Sequence, residues 1–381
     1  MSLSIILTSS CAQRVTVVDE NASTEKFIFN DDETVVLGKM SLREKVGQLF
    51  IVRPEALAEN SNAETAPATD RVDDAVISRI EEYPVGGIAL FSRNITSAEQ
   101  LPMFISDLQS SSKYPLFIAV DEEGGRVARI ANSDFFNVAS YKSMEDIGKS
   151  GDASKAEEVG RQIGSYLKEL GFNLDFAPVA DTNTNPQNIV IGDRSYGSDP
   201  ALVARMVSAQ LDGMHDSGIM GTLKHFPGHG DTKDDTHSGY VSIEKTWDEL
   251  KECELVPFIT ALPKADMVMV SHITAVNVTS DKLPTSMSET MITGKLRNEL
   301  GYDGVIITDA MAMGAVADNY TSAEAAVTAV KAGVDIVLMP QNLNEAFNGV
   351  MNAVTDGEIS MERLDESVLR ILKMKAKYKL I

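Results

Sequence analysis

The chain has 381 residues, 43% of them hydrophobic, enough for one large core or two ordinary ones. Acidic residues outnumber basic ones 56 to 34, a formal net charge of −22. That balance argues against nucleic acid, whose phosphates need a basic surface, and against a polybasic membrane contact; a neutral partner such as a sugar suits it better.

The chain opens with MSLSIILTSSCAQ, in which Ile5, Ile6, Leu7, small residues and Cys11 look like the tail end of a bacterial lipoprotein signal. Export to the periplasm or to a membrane-anchored state, with Cys11 as the lipid-anchor residue, is the expectation; a cytoplasmic protein whose tail carries an ordinary cysteine is the alternative. The other cysteine, Cys253, has no obvious partner, so no disulfide is expected. Residues 12–38 are polar and acidic with short β-like pieces and read as an extension. The division expected is 1–38 as signal remnant and extension, then 39–381 as a single catalytic domain. No apolar run reaches the roughly 20 residues that span a bilayer.

From Met40 onward, short runs rich in β-branched residues alternate with amphipathic stretches. The runs cover 47–52, 86–91, 116–121, 174–179, 218–226, 267–273, 304–310 and 335–340. Near-continuous apolar runs of this length suit parallel strands covered on both faces. Between them, Ser41 with Glu44, Ser154 with Glu157, and Thr321 with Glu324 have capping-box spacing. Ala156, Val159, Ile163, Leu167 and Leu170 form a 3–4 periodic apolar stripe that reads as core packing. Residues 59–70 read as a long surface loop, and the basic stretch VLRILKMKAKYKL as a helical tail. Eight strands alternating with helices predict an α/β fold, a (β/α)8 TIM-like barrel, with a doubly wound open sheet as the competing arrangement.

In such a barrel the chemistry belongs at the C-terminal ends of the strands, and polar residues gather there. Asp121 ends the third run, Asp181 follows the fourth, Lys224 and His225 end the fifth, His272 the sixth and Asp309 the seventh. The densest stretch is KHFPGHGDTKDDTH, residues 224–237. His225 and His229 have H-x3-H spacing, but Pro227 and Gly228 between them exclude the helix on which that spacing makes a zinc site. A loop site of His229, Asp231 and His237 lacks a familiar zinc set. Asp235-Thr236-His237 is a pair in which the carboxylate could fix the imidazole tautomer and raise its basicity. A lone pair of this kind equally reads as a solvated loop.

The surrounding motifs decide between these readings. KHFPGHG with DTH, preceded by DEEGGRVAR and NPQNIVIGDRSYG and followed by GVIITDAMAM, resembles family 3 of the glycoside hydrolases, in its bacterial β-N-acetylglucosaminidase branch of the NagZ type. The resemblance implies a retaining exo-β-N-acetylglucosaminidase acting on peptidoglycan fragments or other glycans. It implies Asp309 as the nucleophile, and His237 with Asp235 as acid/base in place of the second carboxyl group usual in retaining glycosidases. Asp121, Arg194, Lys224 and His225 match positions that hold sugar hydroxyls, and Lys224 and Arg194 are the expected positive charge beside Asp309. Arg126 reads as structural. Two departures stand out: Glu122 replaces a neutral residue, adding charge near the sugar, and DAMAM alters the surroundings of the acetamido group. The implied mechanism needs no cofactor and no metal.

Other readings compete. β-Glucosidases of the same family typically add a second domain that supplies a glutamate acid, whereas the D-x-H loop points to a hexosaminidase. Phosphorolysis is a subtler alternative, since a neutral histidine repels phosphate less than a carboxylate does. A non-catalytic glycan-binding barrel is a third. A single tryptophan, Trp247, offers little for a long stacking cleft and reads as helix packing. The partner expected is a terminal β-linked GlcNAc on an oligosaccharide or muropeptide, with no nucleic acid. The oligomeric state is not legible.

Overall fold

The computed structural model describes residues 33–58, 66–232 and 241–381. Cys11, most of the expected extension, part of the 59–70 loop, Asp235 and His237 lie outside the described residues.

Eight parallel strands form one sheet: β1 (Phe50–Val52), β2 (Gly87–Leu90), β3 (Phe117–Val120), β4 (Leu174–Asp175), β5 (Met220–Phe226), β6 (Met267–Val270), β7 (Val305–Thr308) and β8 (Val337–Leu338). Each pairs with its sequence neighbour, and β1 also pairs with β8. A parallel bridge between Ile307 and Ile336 links β7 to β8 and closes the ring, so the sheet is a (β/α)8 barrel and not an open doubly wound sheet. The strands are buried along their whole length, all seven residues of β5 included. This is why they read as unbroken apolar runs. β4 is shorter than the 174–179 run because Pro178 has no N–H to give; beyond it only Val179 bridges, to Lys224.

The helices carry their stripes inward as the periodicity predicts. In Ala153–Leu170, Ala156, Val159, Ile163 and Leu167 are buried. Its cap differs from the expectation. Asp152 is the N-cap and its carboxylate accepts the Ser154 N–H, so the helix starts at Ala153 and Ser154 lies inside its first turn. The Ser41–Glu44 and Thr321–Glu324 capping boxes form as spaced, and Thr246–Glu249 makes another ahead of Trp247–Glu252. Trp247 is buried and donates to Glu299, away from any cavity.

The basic stretch at the end is part of the core. Helix Met361–Lys377 packs across the N-terminal ends of the strands, with Lys377 and Tyr378 bonded to Asp266 and Arg370 to Asp335. Lys375 is fully buried, donating to Gln48 and to the Gly86 carbonyl, and burial pushes its ammonium down to about 7. Helix Glu33–Lys39 buries Val36 in the same core, so packing begins ahead of residue 39.

Candidate functional site

A cavity of about 570 Å³ opens at the C-terminal ends of the strands. It brings together Asp121, Arg194, Lys224, His225 and Asp309, residues as far as 188 positions apart in the chain (121 to 309).

One wall is an ionic lattice. Asp121 follows β3, and the chain continues extended through Glu122–Gly124. Because side chains alternate along an extended segment, Asp121 and Glu123 face the cavity while Glu122 turns away. Lys224, near the end of β5 and 2% exposed, lies between the two, 2.8 Å from Asp121 and 2.6 Å from Glu123. Arg194 grips both oxygens of Glu123, at 2.8 and 2.7 Å, and Arg129 reaches Asp121 at 3.3 Å. Burial raises the Glu123 carboxyl, but Arg194 and Lys224 outweigh it and hold the group far below its ordinary range. Asp121 is lowered in the same way, burial being overcome by Lys224 and Arg129. Burial works against the Lys224 charge, yet Asp121 and Glu123 keep the ammonium above its ordinary value. These groups are therefore charged at neutral pH and present fixed donors and acceptors to a polyhydroxylated ligand.

Glu122 does not add charge to this wall. Its carboxylate accepts the backbone N–H groups of Arg129, Ile130 and Ala131 and the Tyr166 hydroxyl, tying the 122–131 hairpin to helix Ala153–Leu170. Its burial raises the carboxyl, and it lines no part of the cavity.

The next layer orients the histidines. Asp181, fully buried, takes the Nδ1 proton of His225 at 2.7 Å and the backbone N–H groups of His225 and His229. His225 thus turns Nε2 toward Arg194 and the cavity. Burial raises Asp181, but His225 and His229 lower it further. The Lys224–His225 and Phe226–Pro227 peptides are both cis. His229 also lines the cavity, with Nδ1 on the Thr232 hydroxyl.

Asp309 follows β7. Its backbone N–H donates to Val270, and its Oδ1 accepts the Ala310 N–H at 2.8 Å. Oδ2 takes no hydrogen bond from the described residues. Burial raises the Asp309 carboxyl, while His225, His272, the Ala310 N–H and Lys224 lower it, and the lowering wins. Of the expected positive charges, Lys224 contributes; the histidines act in place of Arg194. His272 stands behind this cavity's lining: it donates Nε2–H to the Ala310 carbonyl and accepts from Ser286 at Nδ1, which braces the peptide after Asp309. Ala312 and Met313 of the DAMAM stretch line the cavity. Arg126 is structural, donating to the carbonyls of Ile189, Val190 and Ile191.

Asp235 and His237 belong to the segment 233–240, outside the described residues, and the described chain resumes at Val241. Before it, Asp231 bonds Thr184 and pairs with Lys245, and Thr232 bonds His229. Just after it, Ser242 and Ile243 pair with Thr274 and Ala275. Among the described residues, no group of three or more His, Cys, Asp or Glu side chains is placed to hold a metal ion, and no helix is long and apolar enough to cross a membrane.

Sequence reasoning missed Glu123 and Arg129 as parts of the site, and named Asp181 only as a polar residue following the fourth run. The alternation along DEE could have found Glu123 from Asp121. The pairing of Asp181 with His225 and His229 had no local signal, since both lie over 40 residues away.

The (β/α)8 barrel gathers an ionised carboxylate, Asp309, and a set of paired charges around one cavity at its strand ends. The chain belongs to glycosyl hydrolase family 3, whose N-terminal domain model matches residues 41–374. It is 36% identical over 329 residues to beta-hexosaminidase A of Pseudoalteromonas piscicida, covering 78% of this chain and 54% of that one, so it spans about half that relative's length. It is 32% identical to beta-hexosaminidase LpqI of Mycobacterium tuberculosis, over 88% of this chain and 83% of the relative. Among solved structures, a family 3 beta-N-acetylglucosaminidase from Paenibacillus sp. str. FPU-7 superposes with a TM-score of 0.82 at 38% identity, over 90% of this chain and 63% of that one.

Proposed function

We propose that the protein is a retaining exo-β-N-acetylglucosaminidase that removes a terminal β-linked GlcNAc through a covalent intermediate on Asp309. The observation that carries this reading is the state of Asp309: ionised, lining the cavity, with one oxygen tethered to the Ala310 N–H and the other taking no hydrogen bond from the described residues. Oδ2 attacks the anomeric carbon while the Asp121, Lys224, Arg194 and His225 wall grips the hydroxyls. His237 gives its proton to the departing oxygen and later takes one from the incoming water, and Asp235 stabilises the imidazolium in between. The beta-hexosaminidase names of the relatives support the acetamido sugar as the substrate. As part of this proposal, glycans outside the cytoplasm are the natural pool, on the strength of the Ile5–Cys11 pattern.

The test is nitrophenol release from the β-N-acetylglucosaminide and the β-glucoside side by side, with and without inorganic phosphate. Strong preference for the acetamido sugar with water as acceptor is expected. Preference for glucose, a sugar 1-phosphate product, or silence on both would each overturn it, the last in favour of a binding protein.

A further inference from the structure

We propose that Arg53 determines leaving-group specificity by binding a carboxylate on the departing sugar; the inference rests on the glycosidase reading above. On the wall built from β3 to β5 the cations are matched, Lys224 by Asp121 and Glu123, Arg194 by Glu123, and Arg129 by Asp121. Arg53 follows β1, which in an eight-stranded ring stands opposite β5, and it lines the same cavity. Its guanidinium lies over the Phe91 ring at 4.6 Å, and its Nε donates to the Met339 sulfur at 3.3 Å. Two contacts thus fix the plane of the group. Its terminal nitrogens, Nη1 and Nη2, have no partner among the described residues. Asp318 also lines the cavity and forms no ion pair with Arg53.

In a chain with 56 acidic residues, an arginine held still on a cavity wall with its donor edge uncommitted is fitted to an anion from outside the chain. The planar fork matches a carboxylate, which can accept two parallel hydrogen bonds. A terminal N-acetylhexosamine is itself uncharged, so the anion must sit on what is attached to it. The cavity, about 570 Å³, falls within the roughly 300–1,000 Å³ of sites for drug-sized ligands, the scale of a disaccharide.

The experiment compares kcat/KM for two GlcNAc-β-1,4 disaccharides. In one the second sugar carries a lactyl-ether carboxylate; in the other that group is its methylamide. Wild type, Arg53→Gln and Arg53→Lys are assayed in phosphate-free buffer. Taking the ratio within each enzyme cancels any loss of folded protein. Wild type should prefer the acid by about tenfold, the scale of one charge-assisted hydrogen bond. Arg53→Gln should bring the ratio near one, and Arg53→Lys should keep part of it. A wild-type ratio near one, or a ratio that survives Arg53→Gln, overturns the proposal. So does an Arg53-dependent acceleration by inorganic phosphate that yields a sugar 1-phosphate, since the anion would then be the attacking group. Wild type inert toward the nitrophenyl acetamido sugar would sink the glycosidase reading and this proposal with it. Normal nitrophenol release without a preference for the acid would sink this proposal alone.

Discussion

Glu123 accepts two hydrogen bonds from Arg194 and a third contact from Lys224, with almost none of its surface in water. Removing it takes away the carboxylate partner of Arg194 and leaves Lys224 with Asp121 alone. Glu123→Ala should therefore lower the unfolding free energy by about 3–5 kcal/mol, the cost of breaking a buried pair by deleting one partner. It should also cut kcat/KM, because Arg194 and Lys224 lose their fixed positions. Urea unfolding at pH 7 measures the first effect; a loss under about 1 kcal/mol would mean the lattice relaxes around the gap.

The same lattice sets the acid limit of stability. Glu123, Asp121, Asp181 and Asp309 all sit below their ordinary values of 4.5 and 3.8. Depressed carboxyls stabilise the fold fully above the unfolded values, and that stabilisation is lost as pH falls through the folded ones. Stability should decline from about pH 4 downward, and Glu123→Gln should show a shallower decline. An equal slope in both proteins would mean other groups govern acid unfolding.

Lys375 adds a slope of the same sign on the alkaline side. Burial lowers its folded value from 10.5 to about 7, so between those limits the unfolded chain holds the extra proton. Stability then rises with pH across this window, by up to about 1.4 kcal/mol per unit. Lys375→Met should lack that rise. Denaturant midpoints at pH 7, 8 and 9 for the two proteins check the difference.

Asp309→Asn should reduce turnover by at least roughly a thousandfold, as loss of a nucleophile does, with the fold intact. The Ala310 N–H can still bond the amide oxygen. Near-normal activity in a folded variant would remove Asp309 from the mechanism.

His237→Ala should depress hydrolysis of poor leaving groups by about 10²–10⁴ and that of activated aryl leaving groups much less, since the latter need little protonation. Equal losses on both classes would show that His237 is not the acid.

Much of the barrel was legible because strand and helix leave different periods in the sequence. β5 and β7 are buried on both faces, so their runs had to be apolar throughout, and Ala156–Leu167 had to repeat every three to four residues. Asp309, Lys224 and Asp121 were legible as polar residues closing apolar strands. The Ser154 cap misled because spacing alone does not say that Asp152 starts the helix two residues earlier. Glu122 misled because its neighbour's face, not its own charge, decided whether it met the cavity.

What the sequence determined by itself was periodic and local: which segments are strands, which faces are apolar, and that polar groups stand at the strand ends. What only the tertiary structure decided was pairing. Glu123 meets Arg194 across 71 positions, Asp181 meets His225 across 44, and Lys375 is buried against Gln48 across 327. Such pairings depend on where closure of the ring brings distant loops together. Charge balance, and with it each group's protonation, depends on those distances, which no local pattern in the sequence encodes.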